Sequence, residues 1–142
     1  MVQRGCLALI VVLATAASGL TADRSSPDKK PRLQLRASPR MAFSPVNVLL
    51  TAELTGGSDL EEFYCPEVEW DWDDGGRSVH QPDCEPLESG AEMERRFTAS
   101  HAYRQAGTYT VKITMRHADR PVAVASAVVT VRPGLGDTSS ID

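Results

Sequence analysis

The sequence lacks the short motifs that mark the common classes of enzyme. Its 142 residues contain no GxSxG, HExxH, P-loop or GxGxxG pattern, and none of the three histidines has an evident nucleophile as partner. Lysine and arginine are outnumbered by aspartate and glutamate, 15 to 19, which argues against a general nucleic-acid binder. We therefore predict a protein that is not an enzyme and has no nucleic-acid partner.

Long apolar runs are also lacking after residue 22. The run Cys6–Ala17 follows Arg4 and is followed by small residues, which is the layout of a secretory signal peptide. It is shorter than the about 20 apolar residues that a membrane-spanning helix needs. We predict a signal peptide over residues 1–22, no membrane span after its cleavage, and a secreted or periplasmic location. A retained membrane anchor is the alternative.

Cysteine is scarce, and loss of Cys6 with the signal peptide would leave only Cys65 and Cys84. In an oxidising compartment such a pair normally forms a disulfide, which would stabilise the fold by about 3 kcal/mol in the chain-entropy model. Free thiols or an intermolecular bridge are the alternatives. A zinc site is less favoured than either of these, because no CxxC or HxxxH spacing accompanies the pair.

No helical periodicity is sustained over three turns, so the predicted class is all-β. Short alternating runs are interrupted by proline, glycine, aspartate and serine, and connections are predicted at residues 38–45 and 56–59. A domain over residues 33–132 is predicted between a flexible lead (23–32) and a disordered tail (133–142). The predicted strands are Leu33–Ala37, Val46–Leu54, Val68–Asp73, Met93–Thr98, Gly107–Arg116 and Val122–Val131.

Two of these strands indicate which of their faces is buried. Large apolar residues occupy every second position from Tyr109 to Met115, with polar residues between them. Trp70 and Trp72 likewise alternate with carboxylates, so both tryptophans should point inward. Two antiparallel sheets that close over these aromatic residues would make a β-sandwich.

Two segments resemble the paired signature of the PKD domain, an immunoglobulin-like module. The first is WDWDDGG at residues 70–76 and the second is HAYRQAGTYTV at residues 101–111, against WDFGDG and HxYxxPGTYTV in the family. Asp73 stands where the family usually has glycine, and Ala106 where it usually has proline. The residues that carry the resemblance are Trp70, Asp71, Trp72, Asp74, Gly75, His101, Tyr103, Gly107, Tyr109 and Val111.

The resemblance covers about residues 33–131 and implies an immunoglobulin-like (PKD-like) antiparallel β-sandwich. It also implies a non-catalytic module that contacts protein or carbohydrate at the cell surface or in the periplasm. A hydrolase with paired carboxylates is less favoured, because a shallow sandwich face supplies neither the cleft nor the raised pKa that acid catalysis needs.

Acidic residues are concentrated in one region. Residues 59–94 contain 13 aspartates and glutamates and a single basic residue, Arg77, whereas residues 23–40 and 95–132 are basic. Such a division produces either a strong surface dipole or extensive internal ion pairing, and both remain open. A solvated acidic face and a surface for a basic protein are two interpretations of the acidic region.

Calcium is a third interpretation, with Asp71, Asp73 and Asp74 as ligands, because clustered carboxylates supply hard oxygen ligands. The spacing is not that of an EF-hand, and successive carboxylates on a strand diverge along its face. Because of these two departures, a calcium-stabilised structural module is the alternative function and not the first prediction.

Phe63 and Tyr64 adjoin Cys65 in a predicted loop. Held there by a disulfide, the two aromatic rings would form a contact patch if they are exposed. The alternative is that they cover the open end of the sandwich.

Overall fold

The computed structural model describes residues 30–135, which form two packed β-sheets. The predicted signal peptide (1–22) lies outside the described residues, as do residues 23–29 of the lead and 136–142 of the tail. The elements, in chain order, are β1 (Arg32–Ser38), β2 (Met41–Phe43), β3 (Val46–Thr55), a short 3₁₀ helix (Glu61–Phe63), β4 (Glu67–Asp71), β5 (Arg77–His80), β6 (Arg96–Tyr103), β7 (Gly107–His117) and β8 (Arg120–Arg132).

One sheet has three strands in the order β1-β3-β6, and the other has five in the order β2-β8-β7-β4-β5. Neighbouring strands are antiparallel, except that β2 pairs with β8 in parallel. The predicted all-β, immunoglobulin-like sandwich is thus confirmed. Strands β5 and β6 form the edges of the two sheets on one side of the molecule, and residues 81–95 connect them.

The core lies between the two sheets and follows the alternation seen in the sequence. Trp70 and Trp72 are both only 5 % exposed, as inward-pointing residues should be. From β7, Val111, Ile113 and Met115 are fully buried, while Lys112 between them is exposed. Smaller apolar side chains complete the core, chiefly Ala37, Val48, Leu50, Ala52, Leu54, Val68, Val129 and Val131.

The strand predicted at Met93–Thr98 is wrong in both of its limits. It begins at Arg96 and continues to Tyr103, which places both His101 and Tyr103 on β6. Its second half is rich in alanine and serine, which have little strand propensity, so pairing with β3 over eight residues sets its length. Alternate β6 residues are the less exposed ones, and they carry the aromatic side chains inward.

Two short edge strands were not predicted from the sequence. Met41–Phe43 lies inside the segment predicted as a connection, where Pro39 and Pro45 dominate the pattern; proline is tolerated there because β2 is a sheet edge. Arg77–His80 is exposed at every position. It therefore has no apolar alternation by which a strand could be recognised.

The ends of the domain also extend beyond the predicted limits. Pro31 is buried and β1 begins at Arg32, inside the segment predicted as a flexible lead. At the other end the Gly134 N–H donates a hydrogen bond to Ser44 Oγ over 3.0 Å. Among the described residues, the sandwich therefore includes Pro31 and Arg32 at one end and Gly134 at the other.

Candidate functional site

The residues of the two signature segments meet at one end of the sandwich as a continuous series of rings. The Trp70 and Trp72 rings are parallel with centroids 5.6 Å apart, and the His101 ring stacks on Trp72 at 4.4 Å. The His101 and Tyr103 rings meet edge to face at 4.9 Å, and Tyr103 stacks on Tyr109 at 4.2 Å. Strands β4, β6 and β7 are thereby joined through aromatic contacts.

The turn after β4 is held by its own carboxylates. Asp74 Oδ2 lies 2.6 Å from His101 Nε2, and Asp74 Oδ1 accepts the Gly76 N–H at 2.9 Å. Burial disfavours the charged form of Asp74, but these hydrogen bonds outweigh it, so the pKa of the carboxyl is lowered below its ordinary value of 3.8. Gly75 has φ +87°, which glycine adopts readily.

Asp73 joins this turn to β7. Its Oδ2 accepts the backbone N–H of Thr110 at 2.7 Å, and its own N–H donates to Asp71 Oδ1 at 3.2 Å. Asp73 has φ +61° at the position where the PKD family usually has glycine, and aspartate tolerates that conformation better than most residues.

The two tyrosine hydroxyls also bond to the backbone. Tyr103 Oη donates to Trp72 O at 2.9 Å and Tyr109 Oη donates to Gln105 O at 2.8 Å. Burial, reinforced by the nearby Asp74 charge, raises the pKa of the Tyr103 hydroxyl. Gly107 packs against the Tyr109 ring so closely that an added Cβ would lie 3.2 Å from it. These contacts connect the two segments to each other, which is a structural role.

The acidic face of β4 is ion-paired rather than simply solvated. Arg116 on β7 lies 3.9 Å from Glu67 and 3.3 Å from Glu69. Arg77 on β5 lies 3.4 Å from Glu69 and 3.2 Å from Asp71, and Lys112 approaches Asp71 to 4.0 Å. Basic side chains from both neighbouring strands therefore neutralise the carboxylates of β4. Exposed pairs of this kind add little stability, but they compensate the charge.

The three carboxylates predicted as calcium ligands already accept donors from the protein. Within residues 30–135, no three histidine, cysteine, aspartate or glutamate side chains are grouped so that they could hold a metal ion. Calcium takes six to eight oxygen ligands, so binding here would have to displace Arg77, His101 and the Thr110 N–H.

The calcium hypothesis stays a prediction, and thermal unfolding tests it. Because the carboxylates are already satisfied, we expect the same melting temperature in chelator, in millimolar calcium and in millimolar magnesium. A rise in calcium alone that Asp73→Asn abolishes would instead support the calcium-stabilised module.

The charge that stays uncompensated lies on the acidic loop, which we define as residues 81–94. The loop contains no basic residue, and its five carboxylates form no ion pair within residues 30–135. They are Asp83, Glu85, Glu88, Glu92 and Glu94. Asp59 and Glu61, which share a surface hollow with Glu88, likewise have no ionic partner there. The acidic region is thus divided into a paired strand face and an unpaired loop.

Several contacts fix the first part of the acidic loop to the sandwich, and one of them is the hydrogen bond that Gln81 donates to Glu67 of β4. Cys65 and Cys84 form the disulfide, with Cα atoms 6.1 Å apart and 19 residues of sequence separation. Beside it, Tyr64 Oη donates a hydrogen bond to the Glu85 carbonyl at 2.7 Å. The loop is therefore anchored next to the start of β4, at the open side between the edge strands.

A cavity of about 460 Å³ lies beneath this anchor, between β4, the edge strands and the acidic loop. Phe63 lies in its wall and is only 2 % exposed. The interpretation of Phe63 and Tyr64 as an exposed pair is therefore wrong for Phe63, whose side chain belongs to the hydrophobic core. Tyr64 is half-buried, and its hydroxyl bonds to the loop.

The cavity itself, with Glu92 and Glu94 in its lining, could not be located from the sequence, although both residues belong to the acidic region identified there. The available signal was the lack of any basic residue between Arg77 and Arg95, which shows that carboxylates of this segment must find partners elsewhere or stay unpaired.

Comparison with known proteins supports the fold. No family model and no curated protein matches the sequence. Among solved structures, the PKD domain of an M14-like peptidase from a Thermoplasmatales archaeon is similar, with TM-score 0.51 and 18 % identity over 77 % of this chain and 100 % of that one. The CARDB domain of a Pyrococcus furiosus protein has TM-score 0.48 and 14 % identity, with the same two coverages.

The chain therefore has the PKD-like fold that its two signature segments imply, on structural likeness and not on close sequence relationship. Among residues 30–135, no helix has the length and apolar character needed to cross a membrane.

Proposed function

We propose that the protein is an exported, non-catalytic PKD-like module that binds a basic protein through its acidic loop. The observation that carries this proposal is the division of charge: within residues 30–135, the carboxylates of β4 are ion-paired and those of the loop are not. Unpaired charge of one sign on an anchored surface attracts a partner of opposite sign and orients its approach.

Export is supported by the signal-like residues 1–22 and by the Cys65–Cys84 disulfide, since such bonds persist in oxidising compartments. A non-catalytic role is supported by the lack of enzyme motifs and by the carboxylates of the turn, each of which holds part of the fold.

A protein partner is favoured over a polysaccharide. Polysaccharides are commonly bound on exposed aromatic faces, but in the described residues the rings near the loop are partly or fully buried: Phe63, Tyr64 and Phe97. Unpaired carboxylates, in contrast, match the lysine and arginine side chains that proteins present.

Capture of the partner tests this function. The tagged mature protein is cross-linked in its native cells, its partners are identified by mass spectrometry, and the affinity of the purified partner is measured. We expect substitution of the five loop carboxylates by their amides to weaken binding by about tenfold or more at low salt. The affinity of the parent should fall as salt is added, because exposed charges are screened.

The control makes the same kind of charge change on the paired face of β4, away from the loop: Glu69→Gln with Asp71→Asn. Affinity that drops equally in this control and in the loop variant would show that net charge matters and the loop does not. Unchanged affinity after neutralisation of the loop would refute the proposal.

A further inference from the structure

The cavity beneath the acidic loop combines an apolar lining with unpaired charge. Phe63, Val68 and Trp70 line it with buried side chains, and Phe97 is half-buried in the same wall. A volume of about 460 Å³ lies within the range of about 300–1,000 Å³ that is typical of sites that enclose ligands. The space is therefore large enough for a long side chain.

Two carboxylates of the loop, Glu92 and Glu94, line the same cavity. Both residues are exposed, and neither forms an ion pair within residues 30–135. The cavity also adjoins Arg96 and His80. Arg96 does not compensate these carboxylates, because it pairs with Glu53 on β3. The site thus offers apolar contact and two negative charges to one incoming group.

We propose that this cavity receives an arginine side chain presented by the partner protein. This inference rests on the proposed function and names the chemistry that the acidic loop recognises. An arginine has a long apolar stem that matches the lining, and its charged end would lie beside Glu92 and Glu94. Its planar guanidinium can donate two parallel hydrogen bonds to a carboxylate, and of the cavity rings the half-buried Phe97 offers it a partly accessible face.

Lysine fits the same site less well. Its ammonium is compact and strongly hydrated, so it loses more on leaving water and cannot stack on the rings that line the cavity. Arginine is also enriched at the energetically dominant positions of protein interfaces, together with the aromatic residues that surround it there.

Two occupants from this chain itself are disfavoured by charge. Residues 23–29 precede Lys30, which pairs with Glu62 near the loop, but they contain two acidic and two basic residues and bring no net positive charge. A second copy of the chain carries a net charge of −4, so approach of two copies is opposed by long-range repulsion.

Titration with a defined ligand pair tests the proposal. N-acetyl-arginine N-methylamide and its citrulline counterpart have nearly the same shape, but only the first is charged. Binding is followed by NMR on the Trp70 indole N–H and on the backbone amides of Tyr64 and Phe97, which all lie at the cavity. We expect saturable chemical-shift changes for the arginine compound. The citrulline compound should bind with an affinity lower by about tenfold or more. The lysine compound should bind more weakly than arginine.

A pair of double variants locates the site within the loop. Glu92→Gln with Glu94→Gln should weaken binding of the arginine compound about tenfold. Glu85→Gln with Glu88→Gln makes the same change of charge in the same loop but away from the cavity lining, and should leave binding nearly unchanged. All four side chains are exposed and form no ion pair within the described part of the chain, so both variants should melt like the parent.

Several results would overturn the proposal. Equal binding of the arginine and citrulline compounds would exclude recognition of charge. Equal losses of affinity in the two double variants would show diffuse electrostatic attraction by the loop and no specific site in the cavity. If deletion of residues 23–29 strengthens binding of the arginine compound, the chain's own segment is the occupant. If Glu92→Gln with Glu94→Gln dissociates a dimer in sedimentation experiments, a second copy is the occupant.

Failure of the proposed function can be told apart from failure of this inference. Capture of a partner through the loop, without binding of the arginine compound, would refute the cavity assignment and leave the function standing. The arginine compound could instead bind while the affinity of the partner is unaffected by neutralisation of the loop. That result would refute the proposed function, and with it the assignment of a partner's arginine to the cavity.

Discussion

Replacement of Trp70 by alanine is expected to lower the free energy of unfolding by about 3–5 kcal/mol. Trp70 is 5 % exposed, stacks on Trp72 at 5.6 Å and lies in the wall of the cavity. Its removal takes a large apolar surface out of the contact between the sheets and extends an existing space that the structure can collapse only in part. A loss of this size is a large fraction of the about 5–15 kcal/mol that stabilises a typical domain.

Urea denaturation with the disulfide intact measures this effect. The matched control is Val124→Ala, since Val124 is 55 % exposed on β8 and its truncation should change stability by only about 0.5 kcal/mol. If the Trp70→Ala variant unfolds at the same urea concentration as the parent, the sandwich core described above is wrong.

Loss of the Cys65–Cys84 disulfide is expected to have the second largest effect, about 3 kcal/mol, for a loop closed by 19 residues of sequence separation. The double variant Cys65→Ser with Cys84→Ser removes the crosslink with little change in volume. Affinity for the partner should fall as well, because the acidic loop would then be held only by weaker contacts, such as the hydrogen bonds of Tyr64 and Gln81, and would have to be ordered on binding.

The reduced parent protein is the internal control for this experiment. Reduction and double substitution should lower the denaturation midpoint by the same amount, because both remove the same constraint on the unfolded chain. Unchanged stability in both would contradict the role given to the disulfide, whereas a loss in the variant alone would indicate damage from the serine side chains.

The inward-facing residues of two core strands could be predicted from the local alternation of apolar and polar residues. The alternation from Tyr109 to Met115, and that around Trp70, identified the inward faces of β7 and β4. It does so because every second side chain of a strand lies on the same face of the sheet. The resemblance of the two signature segments to the PKD family predicted which kind of β-sandwich the chain forms. These features depend on short stretches of sequence and need no knowledge of the strand order.

Features that depend on pairing between distant residues were out of reach. Strand β2 exists because Met41 pairs with Thr130 of β8, far away along the chain, and proline signals obscure it locally. Strand β5 is an exposed edge with no alternation. The compensation of Asp71 by Arg77 and Lys112 follows from the register of three strands, which the charges alone do not specify.

The division of charge between β4 and the acidic loop therefore emerges only in the folded chain. The sequence allowed either internal pairing or an uncompensated dipole, and the structure contains both in separate places. Pairing occurs where neighbouring strands bring basic residues to within 4.0 Å of the carboxylates of β4. Within residues 30–135 the loop carboxylates have no basic neighbour at that distance, which is the basis of the proposed binding of a basic partner.

Site-specific photo-cross-linking in the native cells tests the central claim most directly. A photoreactive phenylalanine derivative is placed at Leu87, 41 % exposed on the acidic loop, or at Val124, 55 % exposed on β8. If the loop is the contact surface, the probe at residue 87 should yield one reproducible protein adduct that is lost when the loop carboxylates are neutralised, and the probe at residue 124 should yield none. An adduct from residue 124 with none from residue 87 would contradict the claim.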